Sequence, residues 1–193
     1  MTEISQGNGC EIDSGATVGY EYSEDTTPTE FGDDVIVRAG SIVYNDVEIA
    51  ARTQTGHNVL IREHTKIGTD CVIGTDTVID GHTQVGNNVS LQTGVYVPSH
   101  TEIGDQVFIG PRAVLTNDPY PVRQDVDLEG PTVESSASIG ANSTILPGTH
   151  IGERSFVAAG AIVTEDVPPE TLAVGAPATF KPLPEQLRDE NDI

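Results

Sequence analysis

The sequence has no tryptophan, and its five tyrosines and four phenylalanines bring the aromatic content to only 5%. A core packed around large rings is therefore excluded. The hydrophobic fraction of 36% must be buried mostly as valine, isoleucine, leucine and alanine. Such side chains suit thin, repeated layers, and the twenty glycines predict many tight corners.

Basic residues are also scarce. Nine lysines and arginines face thirty acidic residues, which gives a net charge of −21, and the only lysines are Lys66 and Lys181. A field of this sign repels nucleic acid and anionic membranes, so neither is expected as a partner. The excess of acid resembles that of proteins from salt-loving organisms, so we expect a halophilic protein whose self-repulsion is screened by salt.

Cysteines and long apolar runs are nearly absent. Cys10 and Cys71 lie far apart in the sequence, and Cys71 falls on an inward position of the repeat described below, so we expect a buried free thiol there. No basic region followed by an apolar run resembles a signal peptide, and no apolar stretch approaches the length of a membrane span. These features lead us to expect a soluble cytoplasmic protein.

What the sequence does contain is a period of six residues. Stepping by six from Phe31 to Leu115 gives fifteen positions, of which only Thr55 is not apolar. The position four residues after each is small or β-branched until Pro119, where the rhythm stops. The pattern resumes from Val133 to Val163, and an earlier fragment at Ile12 and Val18 lies in another phase.

A period of six fits neither an amphipathic helix nor a simple alternating strand. It fits a short strand, a corner and another short strand, with one aliphatic side chain pointing inward from each face. Three hexads make a triangular coil, and successive coils stack at about 4.8 Å, the usual spacing between strands. The sequence therefore predicts an all-β parallel β-helix in the shape of a triangular prism.

Runs such as Ile67–Val72 and Ile73–Val78 resemble the hexapeptide-repeat acyltransferase family over roughly residues 31–182. The resemblance implies a left-handed β-helix, assembly as a homotrimer and active sites between subunits. We expect an acyltransferase domain over residues 1–182. Within it residues 1–30 form an irregular N-terminal cap and residues 116–131 form the active-site loop, while residues 183–193 form a short acidic tail.

The loop at residues 116–131 contains prolines and an Asn-Asp pair, and loops on rigid scaffolds often carry chemistry. Its sequence resembles the loop of hexapeptide enzymes that acetylate amino groups of nucleotide-linked sugars. The resemblance implies roles for Asn117 and Asp118 in catalysis and for Tyr120 and Arg123 in substrate binding, although Val122 separates Pro121 from Arg123. Sugar O-acetyltransferases have a histidine in this loop and this chain has none, so an amine acceptor is favoured.

The C-terminal repeats resemble the part of the family that binds CoA. Ala141 and Ala159 match residues whose backbone amides grip the pantetheine arm, and their separation of eighteen residues places them one coil apart on one edge. Lys181 and Arg154 are candidates for the phosphates of CoA. Acetyl-CoA is therefore the expected co-substrate.

Three histidines, His64, His82 and His100, are each eighteen residues apart and should stack along one edge at about 5 Å per step. They could form a solvated or trimer-facing ladder, or His82 or His100 could orient the substrate or take its proton. A metal site is the third alternative. γ-Class carbonic anhydrases share the fold and the spacing of His64 and His100, but their third ligand position holds Asp105 here.

The resemblance therefore implies an acetyl-CoA-dependent transferase that acetylates the amino group of a nucleotide-linked sugar. Gln92 matches a polar position of the enzymes that act on amino sugars, which implies that it contacts the sugar. One alternative is O-acetylation of a sugar hydroxyl with a column histidine as base. The other is a carbonic-anhydrase-like metal-binding protein or a scaffold without enzymatic activity.

Overall fold

The hexads form short parallel strands that stack into three flat faces. The computed structural model describes residues 4–189 and 191–193, so residues 1–3 of the predicted cap and residue 190 of the predicted tail lie outside the described residues. The sheets contain eight, ten and eight strands, and each coil adds one strand to each sheet. Only the last pair of the second sheet is antiparallel.

The sheet named face 1 contains β1 (Ser5–Gln6), β4 (Glu30–Phe31), β7 (Glu48–Ile49), β10 (Lys66–Ile67), β13 (Gln84–Val85), β16 (Glu102–Ile103), β19 (Thr132–Val133) and β22 (His150–Ile151). Face 2 contains β2 (Glu11–Ile12), β5 (Ile36–Val37), β8 (Gln54–Thr55), β11 (Val72–Ile73), β14 (Ser90–Leu91), β17 (Phe108–Ile109), β20 (Ser138–Ile139), β23 (Phe156–Val157), β25 (Thr171–Val174) and β26 (Thr179–Pro182). Face 3 contains β3 (Thr17–Tyr20), β6 (Ile42–Tyr44), β9 (Leu60–Ile61), β12 (Val78–Ile79), β15 (Tyr96–Val97), β18 (Val114–Leu115), β21 (Thr144–Ile145) and β24 (Ile162–Val163).

The core is one continuous column of aliphatic side chains. All fifteen positions predicted from Phe31 to Leu115 are buried, including Thr55, and so are the resumed positions from Val133 to Val163. Cys71 is fully buried as a free thiol, as predicted, and burial raises its pKa. Each coil buries its apolar residues against the coils above and below it, so packing is nearly one-dimensional.

Most corners between faces have one residue with a positive φ. Histidine, asparagine and aspartate tolerate this conformation better than most residues, and they recur at the corners, as in Asn58, His64, Asp70 and Asp76. A side chain at this position points away from the core. The corners therefore form three outward-facing columns, one along each edge of the prism.

The prediction of an irregular cap at the N-terminus needs correction for the part that the structure describes. Strands β1, β2 and β3 pair in parallel with β4, β5 and β6, so residues 5–20 form a regular first coil. The change of phase arises because residues 21–29 leave the corner between faces 3 and 1 and rejoin at β4. An insertion at a corner shifts the phase of the six-residue repeat but leaves the stacking of the coils intact.

Residues 116–131 leave the same corner five coils later. The chain departs after β18 on face 3 and rejoins at β19 on face 1, where β19 pairs with β16. The excursion therefore replaces one corner and preserves the stack, and buried Pro131 takes the inward position that Thr101 holds one coil earlier.

After β26, a short 3-10 helix at Glu185–Leu187 leads into a tail that folds back over face 2. There the Asn191 amide donates hydrogen bonds to the carbonyl oxygens of Gln106 and Ala137. Within the described part of the chain, no helix has the length and apolar character needed to cross a membrane.

Candidate active site

The predicted histidine column is present on the edge between faces 3 and 1, which we name the histidine edge. His64, His82 and His100 all have positive φ and project outward. The ring centroids of His64 and His82 lie 4.7 Å apart, and those of His82 and His100 lie 5.1 Å apart with an interplanar angle of 19°. The predicted stacking is therefore confirmed.

The upper end of this column meets the base of the 116–131 loop. The backbone N–H of Gly130 donates to the carbonyl oxygen of His100 at 3.1 Å, and the N–H of Glu129 donates to the carbonyl oxygen of Asn117 at 3.0 Å. The two ends of the loop are thus joined beside His100, and the loop is fixed at its base.

The side chain of Asn117 has a defined orientation. Its Nδ2 donates to the carbonyl oxygen of Ser99 at 3.2 Å and to Ser99 Oγ at 2.9 Å. A carbonyl can only accept, so the amide nitrogen must face Ser99. The Oδ1 atom has no partner among the described residues and remains an acceptor for a donor from outside the chain.

The other predicted loop residues lie further out. Asp118 Oδ1 accepts the N–H of Tyr120 at 2.8 Å, which closes a local turn. Tyr120 and Arg123 are exposed, and Arg123 has no ion-pair partner in the ranges that the structure describes. The structure therefore brings Asn117 next to the column, leaves Asp118 in a local turn of the loop, and leaves Tyr120 and Arg123 exposed.

The lower end of the column contacts the other excursion, residues 21–29, which the sequence did not connect with the site. Asp46 occupies the corner one coil below His64, and its Oδ2 accepts a hydrogen bond from the Tyr22 hydroxyl at 2.6 Å. The Tyr22 oxygen lies 3.2 Å from Nε2 of His64. A pocket of about 440 Å³ beside this excursion is lined in part by His64 and His82.

The electrostatics of the column favour a neutral His82. Burial lowers the pKa of His82, and the positive charges that His64 and His100 can carry lower it further. Asp46 keeps a lowered pKa although burial opposes it, because Thr27 and Tyr22 donate hydrogen bonds to its carboxylate. Burial and the bond to Asp46 raise the pKa of Tyr22 to about 12.

Ala141 and Ala159 lie one coil apart, as predicted, on the edge between faces 2 and 3, which we name the alanine edge. Neither backbone N–H has an acceptor within residues 4–189 and 191–193. In a lower coil of the same edge, the His57 N–H donates to Thr75 Oγ1 in the coil above. Above Ala141 stands Ala159, which has no side-chain oxygen to accept the N–H.

The remaining predicted site residues do not all lie on one edge of the prism. Gln92 lies on the alanine edge, and its Nε2 donates to Ser90 Oγ at 2.8 Å. Lys181 is exposed on β26 opposite Leu172. Arg154 lies on the third edge and forms an ion pair with Glu170, which leaves it poorly placed for a ligand of the alanine edge. The sequence missed Arg112, which is exposed one coil below Asn142 on the alanine edge and has no carboxylate partner in the described part of the chain.

Within one chain, the histidine and alanine edges are therefore separate corners of the prism. Asp105 lies on the third edge, where its Oδ1 accepts from the backbone N–H of Asn87 at 2.6 Å. Among the residues that the structure covers, no group of three His, Cys, Asp or Glu side chains is arranged to hold a metal ion.

Comparison with known protein families supports the six-residue repeat found in the sequence. Residues 82–117 and 130–165 match the family described as "Bacterial transferase hexapeptide (six repeats)". Residues 64–99 match "Hexapeptide repeat of succinyl-transferase". The gap between the two stretches of the first match falls within the 116–131 excursion.

Two curated relatives match shorter segments. The dTDP-3-amino-3,6-dideoxy-alpha-D-galactopyranose 3-N-acetyltransferase of Aneurinibacillus thermoaerophilus is 53% identical over 49 residues, which are 25% of this chain and 26% of that protein. The galactoside O-acetyltransferase of Lactococcus lactis subsp. lactis is 32% identical over 81 residues, 39% of each chain. The chain thus spans less than half the length of the curated relatives that it matches.

One solved structure matches a longer part of the chain than the curated relatives do. A hexapeptide-repeat-containing acetyltransferase of Vibrio cholerae O1 biovar eltor, complexed with acetyl coenzyme A, superposes with a TM-score of 0.55 at 27% identity, covering 62% of this chain and 71% of that one. The predicted left-handed parallel β-helix is confirmed.

Proposed function

Because this chain belongs to the hexapeptide-repeat acyltransferase family, we propose that it transfers the acetyl group of acetyl-CoA to the amino group of a nucleotide-linked sugar. The observation that carries the proposal is the pair of unpartnered N–H groups at Ala141 and Ala159 on the alanine edge. They form a row of donors, one coil apart, that an extended amide-containing arm can pair with. The relatives that match this chain include an amino-sugar N-acetyltransferase.

We propose that the working unit is a homotrimer in which the alanine edge of one copy faces the histidine edge of the next. Face 3 lies between these two edges, and its outward positions form an uncharged and mainly apolar strip, unlike the charged outer surface of face 1. The strip consists of Ile42, Leu60, Val78, Tyr96, Val114, Thr144 and Ile162. On a chain with a net charge of −21, such a strip favours contact with another copy.

In this arrangement acetyl-CoA lies along the alanine edge. The amides of Ala141 and Ala159 donate to the carbonyl oxygens of the pantetheine arm, and small side chains let the arm approach the backbone. Arg112 and Lys181 are free to pair with phosphate groups, since neither has a carboxylate partner within the described ranges.

The acceptor lies on the histidine edge under the 116–131 loop. Asn117 Oδ1 accepts an N–H of the amine, which directs the nitrogen lone pair toward the thioester carbon. The new C–N bond forms as the C–S bond breaks. His82, His100 or Asp118 takes the amine proton and returns it to the departing thiolate, so that CoA leaves as the thiol. Most of the rate comes from holding the amine at attack distance. Gln92 and Tyr120 contact the sugar, and Arg123 contacts the anionic part of a nucleotide.

A second candidate function is O-acetylation, which the neutral state of His82 favours. A hydroxyl needs a base to remove its proton, and an imidazole with a lowered pKa remains unprotonated at neutral pH. The match to a galactoside O-acetyltransferase agrees with this candidate.

Calorimetric titration with acetyl-CoA in high salt tests the transferase class. We expect saturable binding close to one molecule per chain, weakened by Arg112→Ala and unchanged by Arg154→Ala. Absence of binding would reject the proposal. Release of CoA in the presence of paired acceptors, one an amino sugar and the other the matching hydroxy sugar, then separates N-acetylation from O-acetylation.

A further inference from the structure

We propose that Tyr22 and Asp46 are positioning residues that fix the tautomer and ring orientation of His64 and, through stacking, hold His82 in place. The effect of this positioning on catalysis rests on the proposed function, whereas the positioning of His64 and His82 itself does not. Both residues lie outside the family match and below the coils that contain the loop and the CoA-like segment.

Counting hydrogens determines the direction of each hydrogen bond. Oδ1 of Asp46 accepts from the backbone N–H of Thr27 at 2.8 Å and from its hydroxyl at 2.5 Å. Oδ2 accepts from the Tyr22 hydroxyl at 2.6 Å. A carboxylate that receives three donors remains ionised, so the single hydroxyl hydrogen of Tyr22 is committed to Asp46.

The consequence falls on His64. The Tyr22 oxygen lies 3.2 Å from His64 Nε2 and has no second hydrogen to donate, so it must accept. His64 Nε2 therefore carries a hydrogen, and the neutral ring has its lone pair on Nδ1. Asp46 is linked to His64 by two successive hydrogen bonds, with the Tyr22 hydroxyl between them. The Asp46 carboxylate thus selects one tautomer of the exposed imidazole of His64.

Ring contacts carry this constraint along the edge. Tyr22 stacks on Tyr44 at 5.9 Å between centroids and meets His64 edge-on at 6.2 Å. His64 then packs on His82 with the two rings tilted by 40°, and His82 stacks on His100. Exposed side chains would otherwise sample several rotamers, so a fixed lower end reduces the motion of the rings above it.

The charged groups around the column are consistent with this arrangement. Asp46 faces His64, while Glu63 and Arg62 face His82 and are paired with each other at 2.8 Å. Glu63 alone raises the pKa of His82, but burial and the charges of His64, His100 and Arg62 outweigh it and lower the pKa. His82 therefore keeps a lone pair available for a proton, provided that its ring is held in place.

Long-range ¹H–¹⁵N NMR of the imidazole nitrogens tests the structural part at about pH 8.5, where histidines are neutral. We expect His64 to be the Nε2–H tautomer in the wild type and a mixture in Tyr22→Phe, which keeps the ring stacked on Tyr44. Tyr20→Phe is the matched control, because Tyr20 also packs on Tyr44 but has no hydrogen bond to the column. Its spectrum should match that of the wild type.

Asp46→Asn gives a sharper result. Thr27 requires an acceptor, so the new amide would place its oxygen there and its NH₂ toward Tyr22. The Tyr22 hydroxyl would then donate to His64 Nε2, and the tautomer of His64 should invert to Nδ1–H. Asparagine is tolerated at this positive-φ corner, as Asn58 and Asn88 show elsewhere in the chain.

In the acetyl-transfer assay, Tyr22→Phe should lower kcat about three- to ten-fold and leave the KM for acetyl-CoA unchanged, because only orientation is lost. If Tyr22→Phe and Asp46→Asn both leave the His64 nitrogen shifts unchanged, the positioning proposal is wrong. If the shifts change as expected but the wild type transfers no acetyl group, the positioning stands and the proposed function fails.

Discussion

At the scale of single residues, Asn117 has the most specific geometry at the site. Ser99 engages its amide nitrogen, so only Oδ1 is available, and an oxygen of this kind orients an amine rather than an acetyl oxygen. The sequence predicted a catalytic role for Asn117 but not which atom of its amide is available. The hydrogen-bond partner Ser99, which lies one coil below, favours a role in orienting the amine.

We therefore expect Asn117→Ala to lower kcat/KM by about 10- to 100-fold, corresponding to about 1.4–2.7 kcal/mol of lost transition-state stabilisation. Steady-state release of CoA measures this effect. Gln124→Ala is the control, because Gln124 is an exposed residue of the same loop. Turnover of Asn117→Ala within a few-fold of the wild type would contradict the assigned role.

The lowered pKa of His82 predicts a pH dependence of stability. The unfolded chain takes up this proton below about pH 6.5, whereas the folded chain takes it up only at lower pH. The contribution of His82 to stability is therefore present above pH 6.5 and is lost as the pH falls through the folded pKa. Urea unfolding of the wild type and His82→Asn should show a difference in free energy that rises from about pH 5 to about pH 7. A difference that falls over this range would contradict the lowered pKa.

At the scale of structural elements, the strands were predictable because each hexad buries one aliphatic residue whatever its neighbours. The histidine column was predictable for the same reason, since eighteen residues return the chain to the same corner. Asp46 obeys that spacing too, eighteen residues before His64, and could have been found from it. Tyr22 could not, because residues 21–29 follow no period and their position depends on tertiary contacts with Asp46.

Gly130 lies at the base of the 116–131 loop, just before β19, and its backbone contacts His100. A Cβ atom at this position would lie 2.4 Å from Thr101 Oγ1 and 2.6 Å from the carbonyl oxygen of His100, so Gly130→Ala must displace the base of the loop. We expect a loss of about 1–3 kcal/mol in the free energy of unfolding, together with a lower kcat. Gly160→Asn is a control for stability, because a Cβ there meets nothing within 4 Å. Wild-type stability and kcat in Gly130→Ala would show that the loop base tolerates displacement.

At the scale of the whole molecule, charge is the dominant feature. The chain has a net charge of −21, and its carboxylates repel one another at low ionic strength. Raising KCl from about 0.1 M to about 1 M shortens the Debye length from about 10 Å to about 3 Å. We expect Tm to rise by roughly 5–15 °C, measured by circular dichroism, while sorbitol of equal osmolality should give a smaller rise. A Tm that is independent of salt would refute the halophilic hypothesis.

In the proposed trimer, the division of the site between two edges makes assembly a condition of activity. Val78 lies at the middle of the apolar strip on face 3, between Leu60 and Tyr96 in the coils below and above it. A carboxylate at this position would have to be desolvated against the partner copy, which costs several kcal/mol when the charge has no partner. If the chain assembles as proposed, we expect the wild type to be a trimer in light scattering, and Val78→Glu to be monomeric and to lose acetyl transfer, although each chain keeps both edges intact. Gln84→Glu adds the same charge at an outward position of face 1 in the next hexad, and it should remain trimeric and active. If Val78→Glu were monomeric yet fully active, one chain would contain the whole site, and the shared arrangement of the two edges would be wrong.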